Sequence, residues 1–302
     1  MAGPTVDAAS STSVAEALAA ALTPWYAAAA RDLPWRRPAA GPWGVLVSEV
    51  MLQQTPVVRV LPVYDEWLER WPSPAALAAA APGDAVRAWG RLGYPRRALR
   101  LHEAARAIVG RHGGEVPRDV DALLALPGVG DYTARAVAAF AFGQRHPVVD
   151  TNVRRVIARV VGGVADTRPC AARDLPAAEA LLPEDPASAA AFAAALMELG
   201  ATVCTSRSPR CAGCPLEQLC QWRAVGLPPP QQPLRRSQPW VGTDRQARGR
   251  LLRVACEAAG PVTAATLTAA WPDRAQQRRA LDGLISDGLL VRCPGGRVGL
   301  PS

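Results

Sequence analysis

Four cysteines, Cys204, Cys211, Cys214 and Cys220, crowd into 17 residues with the spacing C-x6-C-x2-C-x5-C. Thiolates this close along a chain can wrap one metal centre, either a structural zinc ion or an iron–sulfur cluster. Zinc sites more often carry two C-x2-C knuckles and this loop has one, yet the cysteine count by itself leaves zinc open. Arg207 and Arg210 within the loop suit either phosphate contact or plain solvation. Two carboxylates elsewhere are placed for acid–base or electrostatic work. Glu49 sits inside a helical pattern with Val45, Leu46 and Leu52 about a turn away, and a carboxyl among apolar neighbours favours its protonated form. That is the state a general acid needs; a solvated glutamate on a polar face is the competing reading. Asp150 stands just before Thr151-Asn152 at the start of another helix pattern, where by itself it is an N-cap worth about 1 kcal/mol.

A third feature is the turn Leu126-Pro127-Gly128-Val129-Gly130 between two helical patterns. Two glycines flanking one valine let the backbone bend sharply and approach a ligand closely. The helix that follows begins with free N–H groups and a positive dipole end, which suits a phosphate. A plain helical hairpin fits the same short pattern.

The elements that must position these groups are read from periodicity and punctuation. Helices are predicted over 14–30, 42–55, 57–70, 74–80, 84–89, 96–109, 120–126, 131–142, 152–161, 171–182 and 186–200. Residues 1–13 are small and polar, so disorder is expected there. The stretch 225–242 holds Pro228-Pro229-Pro230 and Pro233, the composition of a stiff linker. Residues 243–302 carry three further helical patterns, then two short strand patterns about a Pro-Gly-Gly turn, which resembles a small winged helix.

Composition bounds the rest. At 302 residues the chain is long enough for two or three domains. Its net charge of +8 suits a polyanionic partner. Every one of its 34 basic residues is arginine; there is no lysine. The cysteine pattern is not that of a secreted disulfide scaffold. No apolar run reaches membrane-spanning length and no signal peptide is evident, so a cytoplasmic, nucleoid-associated protein is expected, with no membrane partner.

Between about Pro34 and Cys220 the chain resembles the MutY-type adenine DNA glycosylases of the endonuclease III, helix-hairpin-helix superfamily. The motifs that carry the resemblance are LPWR at Leu33, SEVMLQQT at Ser48, LGY at Leu92, LPGVG at Leu126, VDTNV at Val149, MELGATVC at Met197 and the four cysteines. It implies an all-α fold: a six-helix barrel with the hairpin (49–145), an iron–sulfur lobe (14–48 and 146–224), and an active cleft between them. It implies a [4Fe–4S] cluster on the four cysteines. It implies a monomer acting on duplex DNA that contains adenine mispaired with 8-oxoguanine or guanine. Glu49 matches the acid that protonates adenine. Asp150 matches the carboxylate that faces the sugar cation, as in two-carboxylate glycosidases, and Asn152 its partner. Tyr132 occupies the place where strand-cutting relatives carry a Schiff-base lysine, so base removal without strand cleavage is expected. Gln54 and Tyr94 match residues that wedge into the duplex. Trp35, Arg36 and Leu52 match the adenine pocket, and Gln53, Thr55, Gly128, Val129 and Gly130 complete the expected DNA-facing set.

The chain departs from this pattern in places. Ala193 and Ala194 follow Phe192 where polar residues are usual, Pro95 follows LGY where a second tyrosine is common, and too few residues follow Cys220 for a Nudix-like domain. Two rivals remain: a pyrimidine-specific glycosylase of the same superfamily, against which Glu49 speaks, and a non-catalytic iron–sulfur DNA-binding regulator, which would need neither Glu49 nor Asp150.

Overall fold

A computed structural model describes residues 8–230 and 240–302 of the chain, with side chains from Val14 onward. It is predominantly helical. In chain order the α-helices are α1 (Ala8–Ala29), α2 (Gly41–Leu52), α3 (Val57–Arg70), α4 (Pro74–Ala78), α5 (Pro82–Ala88), α6 (Arg96–His112), α7 (Val120–Leu124), α8 (Asp131–Phe142), α9 (Thr151–Val160), α10 (Ala171–Glu179), α11 (Pro186–Thr202), α12 (Gln221–Ala224), α13 (Asp244–Glu257), α14 (Ala264–Ala270) and α15 (Arg274–Ser286). Strands β1 (Val291–Cys293) and β2 (Arg297–Gly299) follow as an antiparallel pair.

Several bounds differ from the sequence expectation, among them those of α5, α6 and α10, and the short α12 was not expected. Helix α1 starts at Ala8 rather than Val14, because alanine and its neighbours extend a helix at little cost once the Ala-rich run behind them has formed. The remainder of the segment expected to be disordered, 1–7, lies outside the described residues, as does 231–239 of the expected linker. Helix α2 ends at Leu52 rather than Thr55: Gln54 adopts φ +56°, which no right-handed helix accommodates.

Contacts divide the described chain into two units, one of residues 8–45, 118–121 and 130–230, the other of 46–117, 122–129 and 240–302. The first packs α1, α8, α9 and α11 around Leu18, Leu22, Val156, Phe192, Leu196 and Leu199. On α9 the apolar residues recur at Val153, Val156 and Val160, one face of a helix. Much of α11 is alanine, which lets its neighbours come close. Gly200 marks the closest approach: a Cβ there would meet the Asn152 Cβ at 2.7 Å and the Asn152 backbone at 2.9 Å.

The second unit packs α4 and α5 on α6. Trp67 lies edge-on to Trp71 (centroids 4.7 Å, 68°) and to Trp89 (5.5 Å, 81°), a quadrupole-favoured arrangement among buried rings. In the same unit α13, α14, α15 and the β1–β2 hairpin are joined to α5 and α6 by specific bonds. The Gly83 N–H donates to the Pro301 carbonyl at 2.8 Å, and Arg87 Nε donates to the Cys256 carbonyl at 2.9 Å. Arg96 and Arg248 both pair with Asp287. A Cβ on Gly83 would sit 2.4 Å from the Pro301 oxygen, so this seam requires glycine.

Candidate functional site

In the first unit, Asp150 is the N-cap of α9 with an extended backbone (φ −93°, ψ −172°). One carboxylate oxygen accepts from the backbone N–H groups of Asn152 (2.8 Å) and Val153 (2.7 Å), and the other from Asn152 Nδ2 (2.8 Å). Three N–H donors at the start of a helix thus fix the carboxylate in place. The asparagine is itself held: Arg155 Nη2 donates to Asn152 Oδ1 at 2.8 Å and to the Gly200 carbonyl at 2.7 Å, while Arg155 Nε donates to the Cys204 carbonyl at 2.8 Å. Arg155 is buried, and that desolvation draws its pKa below the ordinary arginine range.

Cys204, Cys211, Cys214 and Cys220 line one cavity together with Val160, Leu199 and Trp222. None is in a disulfide. Burial pushes the thiols of Cys204 and Cys214 up, the latter to about 11. Among the described residues no group of three His, Cys, Asp or Glu side chains is placed to hold a metal ion. Arg159, also buried, braces this loop: Nη1 donates to the Thr205 carbonyl (2.8 Å) and to Cys204 Sγ (3.3 Å), and its guanidinium lies 4.4 Å from the Trp222 ring centroid.

Trp35 and Arg36 fall in the short 3-10 turn Pro34–Arg36, with Trp35 buried. Arg36 Nη2 pairs with Glu198 Oε2 at 2.8 Å, and Arg31 grips the same carboxylate through Nε (2.6 Å) and Nη2 (2.8 Å). Glu198 is fully buried. Burial alone would raise its pKa, but the bonds and charges of the two arginines prevail and hold it below the ordinary glutamate value. As placed here, Arg36 anchors the turn that carries Trp35.

The second unit holds Glu49, Leu52, Gln53, Gln54, Thr55 and Tyr94. Glu49 is on α2 and only 5% exposed. Gln54 (φ +56°) and Tyr94 (φ +48°) are two of only three non-glycine residues with left-handed backbone among the described residues. Such conformations cost of order 1–3 kcal/mol and persist only where surroundings enforce them. Arg97 is the enforcer. Its Nη1 donates to the carbonyls of Val50 (2.8 Å), Met51 (3.0 Å) and Gln53 (2.7 Å), and its Nη2 to Thr55 Oγ1 (2.9 Å) and the Gly93 carbonyl (3.0 Å). Thr55 Oγ1 also donates to the Leu92 carbonyl at 3.3 Å. One guanidinium thus ties the turn after α2 to the Gly93–Tyr94 loop. Burial brings its pKa down to about 10.

At the hairpin, Gly128 has φ +79° and packs so closely on Arg100 that a Cβ would meet the Arg100 Cβ at 2.6 Å. Val129 is buried. Gly130 is extended at φ −101°, with open space around it. It is the N-cap of α8 and offers no side-chain cap, so the first amides of that helix have no partner from the cap residue. Tyr132 lies in this first turn, part-buried against the core of the first unit.

Residues 47–174 match the model of the HhH-GPD superfamily base excision DNA repair proteins. The adenine DNA glycosylase of Mycobacterium tuberculosis is 56% identical over 282 residues, 93% of this chain and 92% of its own. The chain belongs to the adenine DNA glycosylases. The fold of this family member extends to relatives with other names. A thermostable thymine-DNA glycosylase superposes with TM-score 0.64 at 29% identity, over 71% of this chain and 98% of its own. A non-covalent endonuclease III–DNA complex gives TM-score 0.60 at 25% identity, over 71% and 98%.

For an adenine DNA glycosylase, the sequence had pointed to Asp150 and Asn152 but not to Arg155, Arg159, Arg97 or Glu198. Arg155 could have been suspected as one turn past Asn152 on the same helix face. Arg97 and Arg159 carry no local signal among 34 arginines, and Glu198, though inside the MELGATVC motif, gives no sign of its arginine partners.

Proposed function

We propose that this adenine DNA glycosylase hydrolyses the N-glycosidic bond of adenine mispaired with 8-oxoguanine or guanine in duplex DNA and leaves the strand uncut. The observation that carries the reading is the Asp150 carboxylate, held in one orientation by three N–H donors at 2.7–2.8 Å, as a group that faces a sugar cation must be.

Glu49, buried at 5% exposure, serves as general acid and delivers a proton to a ring nitrogen of the flipped adenine. The base then leaves with the bonding electron pair. Asp150 stabilises the resulting oxocarbenium electrostatically, much as a preorganised dipole stabilises developing charge. Water adds to the anomeric carbon and loses its proton, giving free adenine and an abasic site. Asn152, oriented by Arg155, keeps Asp150 aimed. Trp35 and Leu52 contribute apolar surface to the base pocket, Tyr132 assists at the sugar, and Gln53 and Thr55 complete the turn that carries Gln54. The strained Gln54 and Tyr94 fill the space that the base vacates. The amides of α8 beyond Gly130 take a DNA phosphate. With no lysine in the chain, no side-chain amine is present to form a Schiff base and cut the strand.

Cys204, Cys211, Cys214 and Cys220 would hold a [4Fe–4S] cluster. The four share one cavity, none is in a disulfide, and four thiols are the donor set such a cluster takes. When bound, the cluster fixes the 204–220 loop and supplies a redox-capable centre.

The test is single-turnover cleavage of adenine opposite 8-oxoguanine, adenine opposite guanine, and thymine opposite guanine, each developed with and without hot alkali. Excision of adenine in the first two, visible only after alkali, is expected. Excision of thymine alone would replace this reading with the pyrimidine-specific one, and binding without any excision would leave a DNA-binding regulator.

A further inference from the structure

Tyr94 and Trp240, the exposed large aromatics among the described residues, are joined by one arginine. Tyr94 is 47% exposed and Trp240 49% exposed, and the Arg245 guanidinium lies over both rings, 5.5 Å from the Tyr94 centroid and 5.1 Å from that of Trp240. Arg97 also lies 5.5 Å from the Tyr94 centroid. Trp240 and Arg245 flank the start of α13, so the contact reaches the Tyr94 loop from the C-terminal segment of the same unit.

This meeting is built, not incidental. The Trp240 carbonyl accepts from Thr243 Oγ1 at 2.8 Å, and Thr243 caps α13 by accepting from the Gln246 N–H. Gln246 Oε1 in turn accepts from the Gly242 N–H at 2.7 Å, and Gln276 Nε2 donates to the Gly242 carbonyl at 2.9 Å. A Cβ on Gly249 of α13 would meet the tip of the Trp240 ring at 3.9 Å. Helix α13 is secured to α6 by the shared Asp287, which accepts from Arg248 and pairs with Arg96 at 3.3 Å. The seam at Gly83–Pro301 and Arg87–Cys256 holds the rest of 243–302 in register.

We propose that Trp240 and Arg245 extend the Tyr94 loop into a stacking platform for an unpaired nucleobase of duplex DNA, so that the C-terminal segment takes part in telling a mispaired site from a matched one. Two half-exposed aromatic rings joined by a guanidinium present apolar and cationic surface together, the chemistry on which splayed bases stack. An ordinary surface has no reason to hold a tyrosine at φ +48° with an arginine over its ring. The exposed arginines Arg91, Arg96 and Arg245 around the platform suit the flanking phosphates. A matched duplex offers no free base face, so the platform adds affinity only where a base is displaced.

The inference rests on the glycosylase reading, and the experiment separates the two. Binding of the whole protein to a duplex with a non-hydrolysable adenine analogue opposite 8-oxoguanine is measured against the fully matched duplex, for wild type, Trp240→Ala, Arg245→Gln and Tyr94→Ala. Far-UV circular dichroism and thermal melts confirm that each variant is folded. Trp240→Ala should lower mispair affinity at least about fivefold, the low end of base–aromatic stacking, with matched-duplex affinity and salt slope unchanged. Arg245→Gln should lower the mispair preference and also flatten the salt slope. An unchanged mispair-to-matched ratio in both C-terminal variants, while Tyr94→Ala loses it, overturns the inference and leaves the glycosylase reading standing. An equal loss on both duplexes also overturns it, since that is plain charge or packing. A wild type with no mispair preference overturns the glycosylase reading itself.

Discussion

Arg155 joins the candidate sugar-facing carboxylate to the cysteine loop through Asn152: its Nη2 donates to Asn152 Oδ1 at 2.8 Å while its Nε holds the Cys204 carbonyl at 2.8 Å. Loss of this guanidinium frees the Asn152 amide to rotate and strands two buried carbonyls, at roughly 1–3 kcal/mol each. Arg155→Gln should therefore lower the melting temperature by several degrees (about 2–4 °C per kcal/mol). Single-turnover excision should fall at least tenfold, with DNA binding kept. A variant that melts like wild type and cuts at its rate would show the Arg155–Asn152 link to be inert.

Glu49→Gln keeps size and hydrogen bonding but has no proton of carboxylic acidity to deliver. Excision should drop by roughly 10²–10⁴-fold, the contribution of a positioned acid, and mispair affinity should stay near wild type. Asp150→Asn should also lose chemistry through the unstabilised cation. Loss of DNA binding together with chemistry would mark Glu49 as a structural residue.

Strand cleavage should be absent at neutral pH, and borohydride should trap no protein–DNA adduct, because no lysine exists to form one. Tyr132→Lys supplies the amine at the first turn of α8 and should introduce a trappable adduct. Efficient nicking by the wild type would leave only the N-terminal amine as its source.

As isolated, the protein should absorb broadly in the visible and carry about four iron atoms. Serine at Cys204, Cys211, Cys214 or Cys220 should each remove the iron or the fold. Serine at Cys170, Cys256 or Cys293, none of which lines the cavity, should not. Stoichiometric zinc without iron would sink the cluster assignment.

Glu198 has its pKa lowered in the folded chain by Arg31 and Arg36 against the opposing effect of burial. A depressed carboxyl contributes stability above its unfolded pKa, about 4.3, and that contribution is lost as pH falls through the folded value. Wild-type melting temperature should therefore fall steeply below about pH 4. Glu198→Gln leaves two arginines without their buried counter-charge, should cost on the order of 3–5 kcal/mol at pH 7, and should flatten the acid limb. Equal acid slopes in the two proteins would show that other carboxylates govern it.

Much of the chemistry was legible along the chain. The four-cysteine spacing, the absence of lysine, Glu49 in an apolar helix and Asp150 at a helix start are properties of residue type and local period, and most helices, though not all their ends, follow the same short-range rules. Gly128 was legible too, since the turn needs positive φ. The Gly200 requirement was not, because the crowding comes from Asn152, 48 positions away in sequence.

Only tertiary structure decided which arginines matter. Arg97 reaches back 44–47 residues to the end of α2, Arg155 reaches forward 49 to Cys204, and Arg31 reaches 167 to Glu198. No local pattern distinguishes these from the solvated arginines, since a guanidinium looks the same in sequence whether it meets water or a ring of carbonyls. The left-handed backbone of Gln54 and Tyr94 is likewise enforced from outside, by Arg97, against the intrinsic preference of both residues. The seating of α13 against α6 depends on Asp287 accepting two arginines from distant helices. Local periodicity selects helices, but the partners of a buried charge are chosen by which helices the core brings together.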